Sequence, residues 1–164
     1  MSAARLVLFA LVPAVVLAAS PALAKTAKAP SKLAGKAFVT GDAVKDQAPD
    51  AVGRQFANAP AQSSLGRKEN GHWVGTVVAF FKKPSVPGPI IVWVFDKADK
   101  QSIKDNEPVQ AITVESTPRD TLVHEVDFDP DQGYNKDHVY LVKVGQILSK
   151  KPKAYAVGEV KLIK

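Results

Sequence analysis

The chain has 164 residues, no cysteine, 22 basic and 16 acidic side chains, and a net charge of +6 at neutral pH. That length suits one domain plus a tail, and the missing cysteine excludes disulfide support, thiolate metal sites and cysteine nucleophiles. A charge this modest serves solubility, so nucleic acid is not an expected partner; outside the cytoplasm the polyanions to be met are envelope lipids and acidic polysaccharides.

The chain opens with Met1-Ser2-Ala3-Ala4-Arg5, continues with an apolar run from Leu6 to Ala19, and then reads Ser20-Pro21-Ala22-Leu23-Ala24. A basic start, a short apolar middle and a small-x-small end are the parts of a secretory signal peptide, here residues 1–24 with cleavage after Ala24. The apolar run is shorter than the ~20 residues of a membrane span. The expected address is therefore periplasmic or secreted, with no membrane span.

Residues 25–70 offer little to bury and are expected to be flexible or loosely docked. Ala37-Phe38-Val39-Thr40 reads as a short strand or docking segment. Around Asp50 to Ala57 one or two helical turns are expected, with Asp50 as N-cap and Val52 and Phe56 on one face.

From residue 71 to 164 the pattern changes to strands. Trp73 to Phe81 and Pro89 to Phe95 are rich in β-branched and aromatic residues and are joined by Lys82-Lys83-Pro84-Ser85-Val86-Pro87-Gly88. Two neighbouring strands with a Pro/Gly connection are expected. Residues 96–108 read as an exposed loop with one helical turn. Further strands follow over 109–115, 121–128, 138–147 and 154–163, separated by turn residues. Leu122, Val126 and Phe128 share one side of their strand, as do Tyr140, Val142 and Val144 of theirs. The fold class expected is all-β: an antiparallel immunoglobulin-like β-sandwich of about six to eight strands over 71–164, behind the loosely ordered N-terminal segment. Tyr140, near a strand start, is expected to tie its hydroxyl to a nearby corner.

Both faces of the first strong strand are apolar, and a sandwich strand normally buries only one. Either Phe38, Val52 and Phe56 dock on the second face, or an aromatic patch including Trp73, Phe80 and Trp93 stands exposed for a protein partner or a homodimer.

Asp127, Asp129, Asp131, Gly133, Asn135 and Asp137 fall on alternate positions. Hard oxygen ligands on a tight loop are what calcium prefers, which makes Asp127, Asp129, Asp131, Asn135 and Asp137 the candidate metal ligands. The competing reading is a turn whose carboxylates bond local amides. His72, His124 and His138 read as structural rather than as one metal site. The serines lie in loop-like contexts, Glu115 and Glu125 read as solvent-facing acids, and no catalytic residue or cofactor site is singled out.

The strand order, with Phe128-Asp129-Pro130 followed by Asn135, His138, Tyr140 and Val144, resembles small periplasmic β-sandwich lipoproteins of the pilotin-like kind, although the cysteine that carries their lipid is absent. Proteins of that kind assist the assembly of outer-membrane secretins, and no functional residue carries over from them; with no catalytic set in the sequence, the function expected is that of a non-enzymatic exported protein that binds another envelope or secreted protein. The last strand is the expected free edge for it. The alternative is a small-ligand or calcium-binding module built on residues 127–137.

Overall fold

The computed structural model describes residues 31–42, 44, 49–114 and 120–164. The expected leader and the Glu115 side chain lie outside the described residues, as does the Asp50 side chain. Among the described residues eight strands are formed: β1 (Lys36–Thr40), β2 (Gln62–Gly66), β3 (Trp73–Phe80), β4 (Ile90–Asp96), β5 (Gln110–Val114), β6 (Thr121–Phe128), β7 (Val139–Leu148) and β8 (Lys151–Ile163). Two short helices, α1 (Pro49–Phe56) and α2 (Lys100–Asp105), and a 3-10 turn at Pro130–Gln132 complete the elements.

The all-β expectation is met. All eight strands are hydrogen-bonded into one sheet, in the order β5-β4-β7-β8-β1-β3-β6, with β2 attached to β8. The sheet curls, so that Val77 and Ala79 of β3, Val92 and Val94 of β4, Val142 and Val144 of β7, and Leu122 and Val126 of β6 share one core. β3 and β4 are therefore not neighbours, as their closeness in the chain had suggested. They pair with other strands and face each other through the core.

Pairing is antiparallel except at β8. There β2 runs parallel over Gln62↔Glu159 to Gly66↔Ile163, and β1 makes a parallel bridge at Lys36↔Val157. Thus the stretch before residue 71 contributes two strands to the sheet, one of them between β3 and β8. β1 carries Ala37, Phe38 and Val39, whereas β2 has Leu65 as its one apolar side chain and so gives no local strand signal. At the β1–β8 junction the backbones come so close that a Cβ on Gly158 would lie 1.9 Å from the carbonyl oxygen of Ala37. Only glycine fits there.

The second apolar face of β3 is covered from within the chain. Val78 and Phe80 pack with Leu33, Phe38, Val44, Val52 and Phe56. Pro49 starts α1, where its missing N–H costs nothing. Val52 and Phe56, four residues apart, then point the same way onto the sheet. The rings of Phe38 and Phe56 lie 5.1 Å apart, and those of Phe56 and Phe80 6.3 Å.

A proline-rich link has few N–H groups to hold it in place. The segment between β3 and β4 is fixed instead by Gln146, which is buried in β7. The Gln146 Oε1 accepts from the Val86 amide at 3.1 Å, and its Nε2 donates to the carbonyls of Val86 and Gly88 at 3.0 and 3.2 Å. The Tyr155 hydroxyl completes the set by donating to Oε1 at 2.8 Å. At the adjoining β7–β8 hairpin the two connecting residues, Ser149 (φ 51°) and Lys150 (φ 64°), are both left-handed. This is the primed turn geometry that matches the twist of the flanking strands.

Candidate functional site

The acidic stretch after β6 forms a corner rather than a ligand cage. The strand ends at Phe128, and the 3-10 turn at Pro130 breaks the every-second-residue alternation on which a shared carboxylate face would depend. Asp129 caps that turn by accepting from the Asp131 amide at 2.9 Å. Asn135 donates its side-chain amide to the Gly133 carbonyl at 3.1 Å. Asp137 sits at φ 65°, donates its amide to the Leu162 carbonyl at 2.6 Å and pairs with Lys136 at 3.5 Å. Asp127 holds His72 Nδ1 at 3.0 Å. Among the described residues no three His, Asp or Glu side chains are grouped so that they could hold a metal ion.

The three histidines are separate. His72 lies between Asp127 and Asp129, its Nε2 3.8 Å from Asp129. The hydrogen bond that it donates to the Asp127 carboxylate, reinforced by the charges of Asp127, Asp129 and Asp131, raises its pKa above the usual imidazole value. His138 Nδ1 pairs with Asp96 at 2.6 Å. His124 stands on β6 opposite Val77.

Beneath the corner, two tyrosines join the ends of the sheet. The Tyr134 ring packs edge-on against Phe128 and Tyr140, with centroids 5.1 and 5.0 Å away. Its hydroxyl donates to Gln110 Oε1 at 2.9 Å, and Gln110 Nε2 donates to Gln132 Oε1, also at 2.9 Å. The Tyr140 hydroxyl accepts the Asn135 amide at 2.7 Å, the tie expected of a tyrosine near a strand start. Burial raises the pKa of both phenols. The corner that follows β6 thereby fastens the start of β5, the strand at the other end of the sheet order.

The aromatic patch is overturned. Trp73, Phe80 and Trp93 are 2%, 0% and 5% exposed. Trp73 lines the core and donates its indole N–H to the Ile163 carbonyl at 2.7 Å, while Phe80 lies under α1. Trp93 is on the opposite face of β4 from the core residues Val92 and Val94, in register with Ala111 and Lys143. The second face of β3 found its cover inside the chain, and all three rings are buried rather than exposed.

The free edge also differs from expectation. β8 has neighbours on both sides, β7 on one and β1 with β2 on the other. Among the described residues the outer strands of the order are β5 and β6, and β2, attached to β8 alone, also pairs on one side only but lies beside β1 and β3. Natural edges are blunted with charges, proline or bulges. β6 carries His124, Glu125 and Asp127, whereas β5 reads Gln-Ala-Ile-Thr-Val, with neither charge nor proline. Ile112 and Val114 lean on the core, and Ala111 and Thr113 are exposed. Alternation of this kind is faintly visible in the sequence, but which strand is outermost depends on long-range pairing that no local pattern encodes.

A cleft of about 370 Å³ opens between β1, the end of α1 and β2, with Phe38 and Phe56 on its floor and Thr40, Asp42, Ser63 and Ser64 on its rim. No family model matches the chain, and no similar curated protein or solved structure was found.

Proposed function

We propose that this chain is an exported, non-enzymatic β-protein that binds another envelope or secreted protein by adding a partner strand along β5. The observation that supports this reading is the outer position of an uncharged, proline-free strand on a rigid curled sheet. Main-chain groups on such an edge give affinity, and the alternating side chains give register. The sheet would serve as the small immunoglobulin-like sandwiches serve, as a stiff body that offers its margins. Gln110, held by Tyr134 and Gln132, keeps one end of β5 in place without a partner.

The test places a photo-crosslinking residue at Ala111 in the secreted or periplasmic protein, and at exposed Val157 as a control. A crosslinked partner at 111, absent at 157 and abolished when Thr113→Lys is added to the probe-bearing chain, supports strand addition. Crosslinking that survives the lysine variant, or none at all, sinks it. Sedimentation equilibrium of the same variants decides whether the partner is a second copy of the chain. The alternative, a small-ligand or calcium-binding module on residues 127–137, gains no support from that corner's internally partnered carboxylates; the cleft between β1, the end of α1 and β2 is the other place for a small ligand.

A further inference from the structure

We propose that the basic end of the sheet docks on an anionic lipid surface. That end is built from the β3–β4 link and the β7–β8 hairpin, which Gln146 and Tyr155 fasten together. Lys82 and Lys83 stand exposed on the link, and Lys150, Lys151 and Lys153 on the hairpin. Among the described residues none of these five forms an ion pair. Two lysines elsewhere are paired, Lys97 with Glu159 and Lys136 with Asp137; what sets the five apart is that they share one end of the sheet. Lys82, Lys83, Lys153 and Tyr155 border a cleft of about 240 Å³. Like charges placed together without counter-ions repel, and an array of phosphates relieves that repulsion.

Charge alone would suit any polyanion, and two further features favour lipid. Val86 and Ile147 are 43% and 56% exposed, and they flank the same lysines. Val86 is bonded to Gln146, the residue before Ile147, and Ile147 lies opposite Pro152. Aliphatic tips beside flexible ammonium groups fit a surface with an apolar interior beneath its headgroups. A soluble acidic polysaccharide has no use for them. The turn is the second feature. Its left-handed positions favour Asn-Gly, yet Ser149 and Lys150 occupy them. Lysine at the second position carries charge to the outermost point of the hairpin at the expense of turn stability.

Co-sedimentation of the purified protein with vesicles tests this. Vesicles of phosphatidylcholine mixed with phosphatidylglycerol should bind the protein, less so as salt rises, while phosphatidylcholine alone should not. Each lysine near such a surface is worth about fivefold, so Lys82→Gln, Lys83→Gln and Lys153→Gln together should weaken binding about a hundredfold. Lys150→Gly should raise the melting temperature and still weaken vesicle binding, which separates a surface role from a structural one. Val86→Ser with Ile147→Ser should weaken vesicle binding without lowering affinity for a soluble acidic polysaccharide. Absence of binding to anionic vesicles, equal binding to neutral ones, or binding to the polysaccharide only overturns the proposal.

Discussion

Phe56 tests whether α1 is a structural cover or a passive appendage. Its ring is 5% exposed and lies between Phe38 and Phe80, at 5.1 and 6.3 Å. Phe56→Ala removes a buried aromatic ring and leaves a cavity beside two others, a change that costs about 3–5 kcal/mol in a well-packed core. A helix of eight residues cannot hold itself together in water. The substitution should therefore release α1 and bare Phe38, Val78 and Phe80 on the outer face of the sheet. For a domain whose whole stability is about 5–15 kcal/mol, the melting temperature should fall by roughly 10 °C, and a dye that reports apolar surface should bind. Amide exchange should accelerate first in α1 and β1. Phe56→Leu, which keeps most of the volume, should lose much less. A melting temperature within a degree or two of the parent for Phe56→Ala would refute the claim that this face requires its cover.

Three other outcomes are expected. Gly158→Ala should lower the urea midpoint by the equivalent of about 3 kcal/mol with little change in slope, because the new methyl meets the Ala37 carbonyl and not a movable side chain; an unchanged midpoint would contradict the close approach. His72 gains its proton more readily when folded, so its contribution to stability is full below its ordinary value near 6.5 and is lost as pH rises through the raised one. In Asp127→Asn the imidazole resonances should titrate closer to the ordinary value, and an unmoved titration curve would show that Asp127 is not the cause. Millimolar calcium should leave tryptophan fluorescence and melting unchanged, since Asp127, Asp129 and Asp137 already have partners within the chain; a stabilised melt would restore the acidic stretch as an ion site.

Much of the strand content could be read from local pattern. The alternation of Leu122, Val126 and Phe128, and of Tyr140, Val142 and Val144, placed the inner faces of β6 and β7 correctly. The double-sided greasiness of β3 announced a second layer, and Phe38, Val52 and Phe56 supplied it. The arrangement of the strands was not legible. That β3 and β4 sit apart, and that β8 is interior, follows from pairings between residues about a hundred positions distant or more, such as Gln62 with Glu159 and Lys36 with Val157. Gln146 gave no signal at all: one amide between Gly145 and Ile147 in an apolar strand becomes the anchor of a loop sixty residues earlier. The acidic stretch misled because spacing by two puts side chains on one face only while the backbone stays extended, and Pro130 ends that.

The interior place of β8 makes it the seam of the sheet. Without residues 151–163 the remaining described strands fall into two hydrogen-bonded groups, β5-β4-β7 and β1-β3-β6, joined through side chains such as Gln110 with Gln132, and β2 loses its strand partner. The described sheet therefore closes on β8, and loosening that one strand would part it into half-sheets held only by side-chain contacts.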